Sequence, residues 1–157
     1  MRWCVAFLAF ALLGGCSTKY QEMGFMGGVS AEPVMTDVYR IVARGNGYTS
    51  ADRVQDFVLL KAAETTLAAG GNYFVIVNQS DRTKVDVGQT AGMAQTNVVG
   101  NSAYTTYTPG TTYNVVKPGE ALIIRVLRIA QGQAAPPGAW PAQDIANTIG
   151  PRLKAQS

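Results

Sequence analysis

A strand-like run, a long helical run and a second strand-like run follow one another without a break, and this succession constrains the fold most. Residues 37 to 44 alternate. Tyr39, Ile41 and Ala43 take one face, and Val38, Arg40, Val42 and Arg44 take the other. Gly45-Asn46-Gly47 ends the run with a turn. Residues 49 to 69 read as a helix. Thr49 and Asp52 have the spacing of a capping box, with Asp in the usual Glu place. Gly70-Gly71 supply the stop. Residues 72 to 78 form a short β-branched and aromatic run, as expected of a strand covered on both faces. The order predicts a βαβ unit, right-handed if its strands are parallel neighbours.

The helix has two faces of different character. At about 100° per residue, Val54, Val58, Ala62, Thr65 and Ala69 cluster on one uncharged arc flanked by Leu59. Asp52, Arg53, Asp56, Lys61 and Glu64 occupy the other half, yet Phe57, Leu60 and Leu67 sit among them. The small-residue stripe is expected to lie on a sheet, with part of the second face under another element.

Residues 79 to 119 are rich in Gly, Thr, Asn, Gln, Val and Tyr, with few charges after Asp86. They read as a long hairpin turning at Pro109-Gly110, or as a mobile loop. Tyr104, Tyr107 and Tyr113 are its conspicuous side chains. They fit cross-strand pairs on a half-exposed sheet, or aromatic faces stacked on a sugar or peptide. Residues 120 to 130 form a strand covered mostly on both sides. Residues 131 to 140 form a Gly/Pro linker. Residues 141 to 149 form a short helix stopped by Gly150-Pro151, with Ile145 and Ile149 set to pack over Phe57 and Leu60. The expected class is α+β: a small mixed sheet in the order β-α-β-(insert hairpin)-β-α, with one long helix packed on it.

Composition removes whole classes of chemistry. The 157 residues include no histidine, and the net charge is +3. Without histidine, the commonest general base and metal ligand are missing, so Ser-His-Asp and Cys-His pairs and Cys/His zinc sites are excluded. The charges are scattered and make no basic stripe, so nucleic acid is not an expected partner. No Walker or Rossmann glycine pattern occurs. No cofactor is implied. Asp37, Asp52, Asp56 and Glu64 are carboxylates a glycosidase could use, but capping and neighbouring cations account for them. The chain reads as a non-enzyme.

The N-terminus carries an address. Arg2 precedes an uncharged apolar run from Trp3 to Leu13, then Gly14, Gly15 and Cys16. This is the layout of a secretory signal peptide. The run of about 11 residues falls short of the ~20 that a membrane-spanning helix needs. Leu13-Gly14-Gly15-Cys16 resembles the lipobox of bacterial lipoproteins. The resemblance implies cleavage before Cys16, with Leu13, Gly14 and Gly15 read by the signal peptidase. It also implies acyl chains (palmitate among them) on Cys16. Ser17 in place of Asp implies, by the same resemblance, the outer membrane facing the periplasm. Cleavage would remove Cys4 and leave Cys16 as the only cysteine, so no disulfide is expected.

A second resemblance covers residues 27 to 80 and, loosely, 144 to 153. Gly27-Gly28-Val29-Ser30-Ala31-Glu32, Gly45-Asn46-Gly47-Tyr48-Thr49-Ser50 and Leu59-Leu60-Lys61-Ala62-Ala63-Glu64-Thr65-Thr66 are similar to a proteobacterial lipoprotein family of unknown function, with its GGYSE, GNGYTS and LLRAAELT-like pattern. Val29, Lys61 and Thr65 depart from that pattern. The resemblance implies an α+β lipoprotein and carries no active site.

The expected organisation is a signal peptide over 1–15, a lipidated tether over 16–36, an α+β domain over 37–131 with its insert at 83–118, and a linker with a C-terminal helix over 132–157. The expected role is a structural or protein-interaction module of the envelope, attached to the membrane by lipid. The alternative is a peptidoglycan- or glycan-binding module using Tyr104, Tyr107 and Tyr113.

Overall fold

The computed structural model describes residues 17–155. The expected signal peptide and lipidation site, residues 1–16 with Leu13, Gly14, Gly15 and Cys16, lie outside the described residues. Two compact units are present: residues up to 84 together with those from 117 onward, and Val85–Val116.

The first unit is α+β. Its sheet contains β1 (Gly28–Met35), β2 (Val38–Arg44), β3 (Tyr73–Asp81), β8 (Gly119–Leu127) and β9 (Ala139–Pro141), in the order β1-β2-β8-β3-β9. Every neighbouring pair is antiparallel. The expected mixed sheet with parallel β2 and β3 side by side is therefore corrected. β8 lies between them, bonded to both. Its nearly unbroken apolar run, from Ala121 to Leu127, suits the central place better than either flanking run does.

The helix α1 (Ala51–Ala68) crosses one face of this sheet. Its buried Val54, Val58 and Ala62 share a core with Val29, Ile41, Ala43, Phe74, Leu122 and Ile124. Among the described residues no helix packs on the opposite face of the sheet. Val75 and Ile123 are only partly buried and Arg125 is exposed, so the expectation of two covered faces is corrected for β3 and β8. The N-cap is Ser50, whose side chain accepts from the Arg53 amide at 3.3 Å. Thr49, expected as the cap, turns inward instead, donating to Asn46 Oδ1 at 2.9 Å.

The helix α2 (Ala142–Lys154) covers the second face of α1 as its Ile face predicts. Ile149 and Leu153 join the core with Phe57 and Leu60, and Arg152 bonds Asp56 at 2.9 Å. It runs through Gly150-Pro151, which were expected to end it. Burial of Leu153 holds the last turn, and the Ala155 amide closes it on Pro151 O at 3.0 Å.

The residues expected to form a tether belong to the domain. β1 pairs with β2 from Gly28↔Arg44 onward, and Val29 is fully buried. Tether and linker compositions concealed two edge strands: β1, whose register shifts between Pro33 and Met35, and β9, only 3 residues long.

The second unit is a two-stranded ribbon. β4 (Lys84–Gln89) pairs with β7 (Thr112–Lys117), and β5 (Met93–Val99) with β6 (Ser102–Thr108). Thr90 and Thr111 join the two ladders: the Thr90 amide donates to Thr111 O at 2.9 Å, and the Thr111 amide to Thr90 Oγ1 at 2.8 Å. The turn expected at Pro109-Gly110 falls instead at Gly100-Asn101, between the paired Val99 and Ser102. Gly100 has φ 62 and Asn101 is not positive, which is the pattern of a type II′ hairpin turn whose twist matches its strands. Pro109, lacking an N–H, sits in the gap between β6 and β7.

Candidate functional site

Three places hold the side chains that bear on function. The first is the segment just after Cys16. Thr18 is buried and bonded at every polar atom. Its amide donates to Thr49 Oγ1 at 3.0 Å, and its hydroxyl donates to Met26 O at 3.0 Å. The same hydroxyl accepts from the Asn46 amide at 3.0 Å, and its carbonyl accepts from Arg53 Nε at 3.1 Å. The chain then runs along α1 as a strap. Tyr20 reaches Glu64, and Glu22 accepts from Lys61 at 2.5 Å. The expected partner of Glu64 was a cation, so this is a correction: Arg53 instead stands over the Phe57 ring at 5.5 Å, and a phenol serves Glu64.

Between strap and β1 the chain makes a tight turn. The amides of Gly24 and Gly27 each donate to the other's carbonyl at 3.1 Å. Phe25 and Met26 stand at its tip, Phe25 with no burial at all (103%) and Met26 mostly exposed. Tyr48, two residues from Asn46, is also exposed. Both segments attach to Thr18, through Met26 O and the Asn46 amide.

The second place is a cleft of about 200 Å³ between the first turns of α1 and the ends of β3 and β8. A bulge at Val77 builds it: Ile76 faces Ile124, but Asn78 already faces Ile123. The extra residue moves Gln79 and Asp81 onto the helix-covered face, opposite Leu122 and Glu120. Glu120 is 8% exposed, and Gln79 Nε2 donates to its carboxylate. Burial pushes the Glu120 carboxyl above its usual range, the Gln79 bond opposes this, and the Asp81 charge adds to it. Asp81 moves the opposite way, held below its usual range by the Thr83 hydroxyl and amide, the latter at 2.7 Å. Two carboxyls with their pKa values driven apart resemble an acid and a base. Here Gln79 occupies the buried carboxylate.

Sequence reasoning alone misses this pair. Glu120 was expected to open a strand, but residues 72 to 78 were expected to end theirs before Asp81, and the juxtaposition depends on a bulge that no local pattern announces. Asp37, Asp52, Asp56 and Glu64 do not converge. Asp37 pairs with Arg128 at 2.9 Å and Asp56 with Arg152. No group of three or more His, Cys, Asp or Glu side chains forms among the described residues. No described helix is long and apolar enough to cross a membrane.

The third place is the ribbon. Register puts Tyr104 opposite Asn97 and Tyr107 opposite Ala94, so the two rings project from opposite faces of β6. Tyr113 lies on β7. A Cβ on Gly88 would meet the Tyr113 ring at 2.5 Å, and one on Gly92 would meet the Tyr107 hydroxyl at 2.6 Å. Both rings therefore lie across glycines, covering backbone that has no side chain of its own. Tyr107 and Tyr113 thus cover neighbouring backbone, and Tyr104 and Tyr107 share no single face.

Comparison of the chain with family models, with curated proteins and with solved structures finds no match.

Proposed function

We propose that this chain is an envelope lipoprotein, anchored by acyl chains on Cys16, whose domain is non-enzymatic and contacts another protein. The supporting observation is Thr18. Two peptide units separate it from Cys16, a reach of about 7 Å, and Thr18 is fixed in the domain by four hydrogen bonds. Lipid on Cys16 would hold the domain directly on the membrane, with no flexible spacer. The exposed Phe25, Met26 and Tyr48 are linked to Thr18 through Met26 O and Asn46. That face is apolar where an anchor would press it to the interface. The non-enzymatic reading is supported by the absence of histidine and by the occupation of Glu120 by Gln79.

The test is intact mass with membrane fractionation in a Gram-negative host, native chain beside Cys16→Ala. The native chain is expected to lose residues 1 to 15, gain acyl mass and float with outer membranes, while the variant does none of these. An unlipidated, soluble native chain would overturn the proposal.

A further inference from the structure

We infer that the ribbon is a homotypic contact arm: β5 pairs antiparallel, edge to edge, with β5 of a second copy of this chain. This names the partner of the interaction module proposed above and rests on that reading.

The edge is open and unguarded. β5 bonds to β6 on one side and to no other strand among the described residues. Natural sheets protect such edges with Lys, Pro or a bulge, because the free amides and carbonyls recruit another strand. β5 has neither Lys nor Pro, and no Asp, Glu, Lys or Arg occurs from Val87 to Val116. The other arm carries Pro109 between its two strands. A lone two-stranded hairpin is marginal in water, so a third and fourth strand stabilise it. Met93, Val98 and Val99 are 74%, 72% and 69% exposed on this edge strand.

The sequence of β5 identifies the occupant. A two-fold contact places each residue opposite its mirror position. Laid antiparallel on itself, Met93-Ala94-Gln95-Thr96-Asn97-Val98-Val99 sets Met93 against Val99 and Ala94 against Val98. Gln95 meets Asn97, and Thr96 at the centre meets Thr96. Apolar meets apolar and amide meets amide, the pairing that stabilises neighbouring strands. The absence of charge removes the self-repulsion that a symmetric contact would otherwise double. β6 treated the same way sets Thr105 against Thr105 and Ser102 against Thr108, but Tyr104 falls against Thr106 and only Ala103 against Tyr107 is apolar. Pairing of β5 with β6 of another copy is a head-to-tail contact that repeats from copy to copy, whereas β5 with β5 is isologous and uses both β5 edges in one pair.

The experiment uses the full chain in its own membranes. Thr96→Cys is expected to form a covalent dimer on mild oxidation, while the native chain, which retains Cys16, and Gln143→Cys on α2 do not. Two differently tagged copies are then co-expressed. Native with native co-purifies. Thr96→Lys with itself, and Thr96→Glu with itself, are expected to fall about fivefold, the weight of like charges set directly opposite. Lys with Glu is expected to recover, which no unfolding of the ribbon could produce. Equal co-purification in all combinations, or none for the native chain, overturns the pairing. An adduct between the Thr96→Cys chain and a different protein overturns self-pairing and leaves the interaction reading standing. No adduct of any kind at position 96 overturns the ribbon as the contact and leaves the interaction reading to rest on the Phe25–Met26 turn alone.

Discussion

The phenol of Tyr20 donates a 2.5 Å hydrogen bond to Oε2 of Glu64, 44 residues away in the chain. The Tyr20 ring also meets Phe57 edge-on, with centroids 5.6 Å apart. One side chain from a stretch that reads as spacer thus fills a hole over α1 and satisfies its half-buried carboxylate. Tyr20→Phe keeps the ring and leaves Glu64 without its donor. The expected cost is about 1 to 3 kcal/mol, typical of leaving a buried polar group unpaired, read by urea unfolding. Lys61→Ala, which removes the α1 partner of the exposed strap residue Glu22, is expected to cost about 1 kcal/mol or less. If the two variants were equal, the strap would be a surface decoration and the tether picture would return.

The same contact predicts alkaline behaviour. Burial first, then the Glu64 bond and charge, push the Tyr20 phenol far above its usual value of 10.0. The folded chain therefore keeps a proton that the unfolded chain loses. Stability contributed by Tyr20 is complete below about pH 10 and falls as pH rises past it. Melting temperature should drop between about pH 10 and 11.5 in the native chain, and Tyr20→Phe should flatten that drop. An unchanged slope would show that Tyr20 ionises as freely when folded as when unfolded.

Glu120 gives the corresponding prediction in acid. Its folded carboxyl is raised above the ordinary 4.5, chiefly by burial. The folded chain thus binds a proton that the unfolded chain has released. Stability is highest below pH 4.5 as far as this group is concerned, and falls as pH rises through the folded value. Glu120→Gln removes the charge and can still accept from Gln79. It should raise the melting temperature at pH 7, with the gain vanishing near pH 4. A loss of stability at pH 7 would mean that the buried carboxylate is held by a stronger partner than Gln79.

The sequence was most informative where a period ran long. The stripe of Val54, Val58 and Ala62 and the Ile face of α2 both announced their burial, because a 3.6-residue period leaves a signature across several turns. Strand order was not legible. Nothing in residues 37 to 44 or 72 to 78 says that β8, from far along the chain, will come between them. The edge strands β1 and β9 were hidden for a different reason: Gly and Pro near them signalled breaks, and edge strands tolerate both. In the cleft, Asp81 and Glu120 were readable as residues but not as a pair, since one bulge at Val77 decides which face Asp81 takes. The ribbon tyrosines fitted two roles, and the register places Tyr104 and Tyr107 on opposite faces of β6.

The ribbon's glycines and tyrosines form units, so their substitution has a local signature. A Cβ on Gly88 would collide with the Tyr113 ring. Gly88→Val should speed amide exchange in β4 and β7 and leave the exchange of β2 and β8 unchanged, because the two units hold separate internal contacts. Tyr113→Ala should act in the same direction by uncovering the Gly88 backbone. Gly100→Ala is expected to disturb β5 and β6 more than either, since φ 62 is unfavourable for any residue with a side chain. Loss of protection throughout both units would show one cooperative fold in their place.

Phe25 tests the proposed membrane contact. It is fully exposed, so Phe25→Trp should change stability by less than about 0.5 kcal/mol. In the lipidated Phe25→Trp chain reconstituted into vesicles, the introduced indole is expected to be quenched by brominated lipid. Trp140 on β9, 42% exposed, serves as the internal comparison in the native chain. The physical reason is that burying a Phe-sized side chain in the acyl boundary is worth about 2 kcal/mol, and Thr18 gives the turn no slack to stay away. Phe25→Ser with Met26→Ser should leave unfolding unchanged and weaken the hold of a singly acylated chain on vesicles by roughly tenfold or more. If the introduced indole is no better quenched than Trp140, the Phe25–Met26 turn faces water, and its exposed side chains await a protein in place of lipid.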